Sequence, residues 1–345
     1  MSNIKEYDCP NCGGSLTFDP PSEGWKCGYC FSAFNKEEID KIYGTTESEQ
    51  LDEEALELDT YHCDSCGAEL IADDTTSATF CLYCKSPTVI KQRFKGSFQP
   101  KYAIPFKLTK EQSVDIYKKW INKKLFAPTS FKLDDEIDKL TGIYAPFWLF
   151  DCDAHGATTG SGTIVTSWRS GKYQYTKTKH YHVEREGNVR YEKIPVDAST
   201  KLDDKFMTML EPYDYKEIKD FSMAYLTGFM AEKYDVESTE SEKVMKERAE
   251  EFVSKRLRET INGYSTYVAS SNSAQLHDVL NNYALMPIYL LVNQYKDEKH
   301  MFLINGQTGK VVGETPIDHT RQAIFFGVVS ACVWVITVLG GAIFG

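Results

Sequence analysis

The sequence predicts an α+β protein: two small metal-clasped modules at the N-terminus, a β-rich central domain with a few helices, and a C-terminal transmembrane helix. Three observations carry this. A cysteine pattern is written twice in the first 84 residues, Gly-punctuated apolar runs of strand length fill the region after residue 142, and residues 323–345 carry no charge.

The cysteine pattern organises the chain. Cys9-x2-Cys12 is followed, after fourteen residues, by Cys27-x2-Cys30, and Cys63-x2-Cys66 is followed, after fourteen residues, by Cys81-x2-Cys84. The two copies are offset by 54 (63 − 9), and Gly13/Gly67, Leu16/Leu70, Asp19/Asp73 and Tyr29/Tyr83 match at that same offset. Two CxxC knuckles can surround a tetrahedral Zn2+ with four thiolates at about 2.3 Å each. Segments this short have too little apolar mass to fold on a core alone, and zinc contributes about 10–16 kcal/mol that becomes folding free energy. We therefore expect two structural Zn2+ ions, held by Cys9, Cys12, Cys27 and Cys30 in a ribbon over residues 1–35, and by Cys63, Cys66, Cys81 and Cys84 in a second over residues 61–90. A closed four-sulfur shell leaves no position for water or substrate, so a catalytic zinc is not expected. His62 precedes Cys63, but four cysteines already complete that site, so it is read as a capping or packing residue.

Composition limits function. A net charge of −11 argues against non-specific nucleic-acid binding, which depends on phosphate neutralisation by Lys and Arg. The first ribbon is itself slightly acidic, with Lys5 and Lys26 set against Glu6, Asp8, Asp19 and Glu23. The opening MSNIKEYDCPNCGG has no basic segment followed by an apolar one, so nothing there directs secretion. Paired CxxC motifs imply reduced thiols and a cytoplasmic bulk. The two remaining cysteines, Cys152 and Cys332, are read as small buried apolar residues.

Residues 36–60 form an acidic linker: a short helical turn over 36–43, then Glu47, Glu49, Asp52, Glu53, Glu54, Glu57 and Asp59 with no Lys or Arg among residues 45–60. Such a linker would let the two ribbons move independently. A larger α+β domain occupies residues 91–320. It opens on Lys91, Arg93, Lys95 and Lys101 interleaved with Phe94, Phe98 and Tyr102, a composition that suits nucleic acid or anionic lipid but reads more simply as an entry segment. Thr109-x-x-Gln112 has the form of a capping box, and Val114, Tyr117 and Ile121 follow at helical spacing, which predicts an amphipathic helix over 110–125 ended by Ala127-Pro128.

Strands are predicted over 143–153, 162–168, 172–183 and 188–196, with turns at Ser170-Gly171 and Glu186-Gly187, giving a meander or barrel-like sheet. After a loop at Glu211-Pro212-Tyr213-Asp214 and an apolar element over 221–231, Thr239-x-x-Glu242 starts a helix. Its buried face is Met245, Ala249, Phe252, Val253, Leu257 and Ile261, and Gly263 stops it. Strands return over 265–269, 283–295, 300–305 and 310–313. The last stretch, 323–345, is long enough as a helix to cross about 30 Å of hydrocarbon, and Arg321 before it favours a cytoplasmic N-terminal side. Gly341-x3-Gly345 has helix-packing spacing, which chance explains equally well at a chain end.

Candidate chemistry in the central domain is sparse. Gly306-Gln307-Thr308-Gly309-Lys310 lacks phosphate-loop spacing and lies between strands, so it reads as a hairpin turn. Gly160-Ser161-Gly162 is neither a nucleophile elbow nor a dinucleotide fingerprint. His180 and His182 share a face of a predicted strand, where a metal with Asp151 or Asp153 is conceivable and a surface role is the simpler reading.

Taken together, CPNCGG…CGYC and CDSCGAEL…CLYC, YAIPFKLTKEQ, LFAPTSFK before GIYAPFWLFD, and MPIYLLVNQY…MFLINGQTGKVVGETP before an apolar tail resemble a family of bacterial membrane-anchored proteins with tandem TFIIB-type zinc ribbons. Many of them are named as helicase or primosomal-protein relatives on the ribbon alone. Two closed metal sites, an acidic surface and the terminal span point to a non-enzymatic membrane adaptor or scaffold at the cytosolic face, and the resemblance implies a role as a partner of phage-shock-type coat proteins in envelope stress. The helicase name does not transfer, because no nucleotide-binding loop is present. The alternative is a membrane-tethered zinc-ribbon protein that binds nucleic acid in replication or transcription, which the charge balance makes the less favoured partner class.

Overall fold

The computed structural model describes residues 9–14, 16–43, 58–63, 69–72, 89–94, 100–226, 228–231 and 234–344. The first elements are β1 (Leu16–Asp19), β2 (Gly24–Cys27) and β3 (Ala33–Phe34), an antiparallel sheet of three short strands, followed by α1 (Lys36–Tyr43). Asn35 and Glu38 cap α1 reciprocally, each side chain accepting the other's backbone N–H at 2.9 Å.

Next come β4 (Leu58–Cys63), β5 (Glu69–Ala72) and β6 (Val89–Phe94), with β4 between the other two. Then follow β7 (Tyr102–Ala103), α2 (Lys110–Asn122) and α3 (Asp134–Ile137). The Thr109/Gln112 capping box forms in both directions, and α2 buries Tyr117 and Ile121 as predicted. It ends earlier than residue 125 because Lys123 and Lys124 bond three residues back, to Trp120 and Ile121, tightening the last turn.

Two long strands, β8 (Thr141–Ser170, 30 residues) and β9 (Tyr173–Asp197, 25 residues), replace the four shorter ones expected. After them lie α4 (Asp204–Leu210), β10 (Lys219–Asp220), β11 (Met230–Ala231) and α5 (Ser238–Glu259), then β12 (Thr266–Tyr295, 30 residues), β13 (Glu298–Asn305), β14 (Val311–Gly313) and α6 (His319–Phe344). Helix α5 starts one residue before the expected Thr239 cap, without a side-chain cap. It buries Met245, Ala249, Val253 and Leu257, while Phe252 is 40% exposed on its flank.

Among the described residues these strands form an 11-stranded sheet with β9, β8 and β12 antiparallel at its centre. The fold is therefore mixed α/β with a large β-sheet domain. Strands β5 and β11 pair through Ile71 and Ala231, so the strands of residues 58–94 extend the main sheet.

The burial of β8 changes along its length. Residues 143–150 are buried on both faces, residues 151–162 alternate between buried and partly exposed, and residues 165–170 are exposed. The inner part is sandwiched: Tyr144, Trp148 and Phe150 join the core containing Tyr117 and Ile121 of α2, and Ile143, Phe147 and Leu149 join one containing Met207 and Leu210 of α4. Farther out, only α5 covers the sheet, with Val253 and Leu257 against Ala154, Ala274 and Leu276. Beyond α5, the β9–β8–β12 arm projects with neither face covered by another element of the described chain.

The expected transmembrane helix over 323–345, and with it a single-pass membrane location, is corrected. No helix among the described residues is long and apolar enough to cross a membrane. The start of α6 is tied to the body: Arg321 Nη1 donates to Ala127 O (2.9 Å), Asp318 N donates to Phe126 O (2.8 Å), and Phe126 packs on Phe325 and Phe326. Arg321 is thus an intramolecular clamp. Cys332, expected buried, is exposed on α6.

Candidate metal centre

Four sulfurs converge at the N-terminus. The Sγ atoms of Cys9, Cys12, Cys27 and Cys30 all lie within 4.8 Å of one another, with Cys9–Cys30 and Cys12–Cys27 both at 3.4 Å. A tetrahedron with about 2.3 Å metal–sulfur bonds has edges of about 3.8 Å, so this donor set fits a metal ion.

Each knuckle is a backbone turn. The Cys9 carbonyl accepts from Cys12 N (3.2 Å) and Gly13 N (2.8 Å), and the Cys27 carbonyl accepts from Phe31 N (3.1 Å). Both turns need a left-handed residue after the second cysteine, supplied by Gly13 at φ +71° and by Phe31 at φ +60°. Gly14 has a second constraint, since a Cβ there would lie 2.4 Å from the Tyr29 ring.

The local hydrogen bonds favour thiolates unevenly. The Ser32 hydroxyl and backbone N–H hold the Cys30 thiol down at about 6. Cys27 is lowered chiefly by the Cys30 N–H, with the Tyr29 N–H adding to it. At Cys12 the Gly14 N–H favours the thiolate, but the crowding sulfurs of Cys30 and Cys27 outweigh it and push this thiol up to about 12. Four sulfurs at this distance cannot all carry charge unless a cation sits among them.

Cys9 and Cys27 are buried, whereas Cys12 and Cys30 face outward beside Tyr29 (77% exposed) and Phe31 (83% exposed). The opposite side of this module is docked on the central domain. Trp25 is 1% exposed, its indole N–H donates to Ala224 O (3.0 Å), and its ring packs with Phe18 (5.3 Å) and Tyr225 (6.0 Å). Gly228, at φ +85°, lies where a Cβ would sit 2.3 Å from the Thr17 methyl. The first module is therefore fixed to the body, not free on a linker. Its sequence hid this because Phe18 and Trp25 on a short hairpin read equally well as its own core.

For the second set, Cys63 ends β4 with its side chain outside the described residues, and Cys66, Cys81 and Cys84 lie outside them as well. The metal-site alternative in the central domain fails on distance. His180 and His182 pair across the sheet with Thr163 and Ser161, whereas Asp153 pairs with Arg190, ten residues from Thr163 and about 30 Å along the strand. Asp151 accepts from Lys193 N (2.7 Å) and His182 contacts Glu184 (2.8 Å). Cys152 is buried, and burial pushes its thiol up, with Asp153 and Asp151 adding to the effect. The Gly306–Gly309 segment is the expected turn, in which Gly309 N donates to Asn305 O (2.9 Å). Gln307, read from sequence only as a turn residue, is buried there and stitches the turn to Asp214 and Glu217.

The chain is similar to the uncharacterized protein YdjG of Bacillus subtilis (strain 168), with 34% identity over 323 residues, 94% of this chain and 93% of that protein. No family model matches the chain. No solved structure matches it significantly.

Proposed function

Starting from a chain that belongs to the YdjG family, we propose that it is a non-enzymatic adaptor whose zinc-bound N-terminal ribbon presents a docking surface to a protein partner. The observation that carries this reading is the pairing of a closed four-sulfur shell with two large exposed aromatic side chains, Tyr29 and Phe31, beside its outer ligands. Four thiolates saturate zinc, so the ion serves structure and leaves no open position for chemistry. Aromatic side chains exposed on a rigid support are characteristic anchors of protein interfaces. The Trp25 anchor supports rigidity, since a surface held in place loses less entropy on binding. The acidic balance of the ribbon, Lys5 and Lys26 against Glu6, Asp8, Asp19 and Glu23, makes protein a better fit than phosphate for this module. The second cysteine set, Cys63, Cys66, Cys81 and Cys84, is proposed to hold a second zinc, and phage-shock-type envelope-stress proteins are the partner class to test first.

The test is crosslinking and affinity capture from native extract with the full chain, comparing wild type with a Tyr29→Ala, Phe31→Asn variant. Asn tolerates the left-handed backbone at position 31. Loss of specific partners with retained zinc is the expected result. An unchanged partner set in that variant, and in a Cys63→Ser, Cys66→Ser variant, overturns the proposal.

A further inference from the structure

We infer that one face of the projecting β-arm is a binding platform for single-stranded nucleic acid, a site separate from the ribbon and independent of its metal. The residues on the two faces of the arm differ in kind. Pairing places Trp168, Tyr175 and Tyr181 on the face that α5 covers nearer the body, and Tyr264 and Tyr267 lie over the same face. The cations on it are Lys177, Lys179 and Arg185. The opposite face carries Thr and Ser with His180, His182, Glu184 and Glu186.

The aromatic face is built in advance. Gly160 and Gly162 have no side chain, and a Cβ on either would lie within 2.7 Å of Tyr267 or Tyr264 respectively. These two rings therefore lie down over β8. Tyr264 meets Tyr181 at 5.6 Å, and farther out Trp168 stacks on Tyr175 at 5.6 Å and 14°. Trp168 and Tyr175 are each nearly half exposed. From Tyr175 to Tyr181 is about 20 Å along the strand, so the rings are spaced over a track instead of being gathered at the tip.

The charge is segregated too. The chain carries −11, yet between Asp153 and Glu184 there is no acidic residue, while Arg169, Lys172, Lys177 and Lys179 fall there; residues 264–277 of the neighbouring strand contain no Asp, Glu, Lys or Arg. The arm extends about 45 Å from Gly156, beneath α5, to its turn, several times the roughly 8 Å screening length at physiological salt, so the acidic body does not cancel the positive face. Aromatic rings with interleaved Lys on an open sheet are the arrangement on which bases stack while phosphates meet cations. A bilayer is the poorer fit, because insertion draws on aliphatic area and this face offers only Ile164 beyond the buried Val183.

The test uses the full-length zinc-loaded protein with labelled oligothymidylate and oligouridylate in fluorescence anisotropy, as salt rises from about 50 to 200 mM. Saturable binding to at least one, weakening with salt, is expected. Lys177→Gln with Lys179→Gln should flatten the log–log salt slope by about 1.4, and Trp168→Ala should weaken binding about five- to hundredfold at unchanged slope. Thr176→Gln with Thr178→Gln, on the other face of the same strand, should leave binding unchanged, and circular dichroism checks that each exposed variant folds. No binding to either oligonucleotide overturns the inference, as does equal loss in the Thr176/Thr178 variant. Lys177/Lys179-dependent binding to phosphatidylserine–phosphatidylcholine vesicles without oligonucleotide binding assigns the face to lipid and overturns it equally.

Discussion

Replacing Trp25 with Ala tests whether the ribbon is part of the body's core. The side chain is 1% exposed and contacts Phe18, Tyr225 and the Ala224 carbonyl. An indole buries about 200 Å2, worth about 5 kcal/mol at 25 cal/mol per Å2, an upper bound because the unfolded chain already hides part of that area. Partial collapse of the site brings the expected loss to about 3–5 kcal/mol. Trp25→Phe keeps most of the area and removes the donor to Ala224, so about 1–2 kcal/mol is expected. Urea denaturation followed by circular dichroism reads both values, with Tyr29→Ala, an exposed position, as a control expected within about 0.5 kcal/mol of wild type. Undocking also frees the knuckles to open, so metal release to a colorimetric chelator should accelerate in Trp25→Ala although all four cysteines remain. If Trp25→Ala falls within about 0.5 kcal/mol of the Tyr29→Ala control and releases metal at the wild-type rate, the docked arrangement is wrong.

Cys27→Ser removes a buried sulfur of the four-cysteine cluster and should cost the chain one bound metal ion by elemental analysis, together with protease protection of residues 9–43. Gly156→Ala places a Cβ 2.1 Å from Val253 and should destabilise the protein by about 1–3 kcal/mol, with Val253→Ala in the same chain recovering much of that in a double-mutant cycle. Burial, with the charge of Asp204 added, pushes Asp197 up to about 7. Below about pH 4 the carboxyl is protonated in both states; as pH rises towards 7 only the unfolded chain ionises, so folding stability falls across that window and stays low above it. Asp197→Asn should therefore flatten the stability profile between about pH 4 and 7 and stabilise the protein at pH 8, as urea midpoints at each pH will report. Cys332 should react with maleimide in the native protein and buried Cys152 only after denaturation, a difference that mass spectrometry reads directly.

The first four-cysteine cluster was legible because its information is local: a CxxC knuckle closes within a few residues, and the metal's geometry then dictates how two knuckles meet. The capping box of α2, the apolar stripe of α5 and the Gly306–Gly309 turn were readable for the same reason, each being decided by neighbours within a turn or two. Even the three burial regimes of β8 are written in its residues, continuous apolar in IYAPFWLF, small or polar at alternate positions in DCDAHGATTGSG, and mixed beyond.

What only the tertiary structure decided are relations between segments far apart in the chain. Breaks at Gly156, Gly160 and Gly162 look like strand ends in one dimension; in three they are the places where Val253, Tyr267 and Tyr264 pack onto one continuous strand. The docking of Trp25 on Ala224 joins residues 199 positions apart, and no local pattern encodes such a pair. Net charge is an average over the whole chain, so it could not reveal that the positive residues lie on an arm held away from the acidic body. Sequence carries what a side chain does to its near neighbours. Which distant surface it meets depends on the free energy of the whole packed arrangement, which no short window contains.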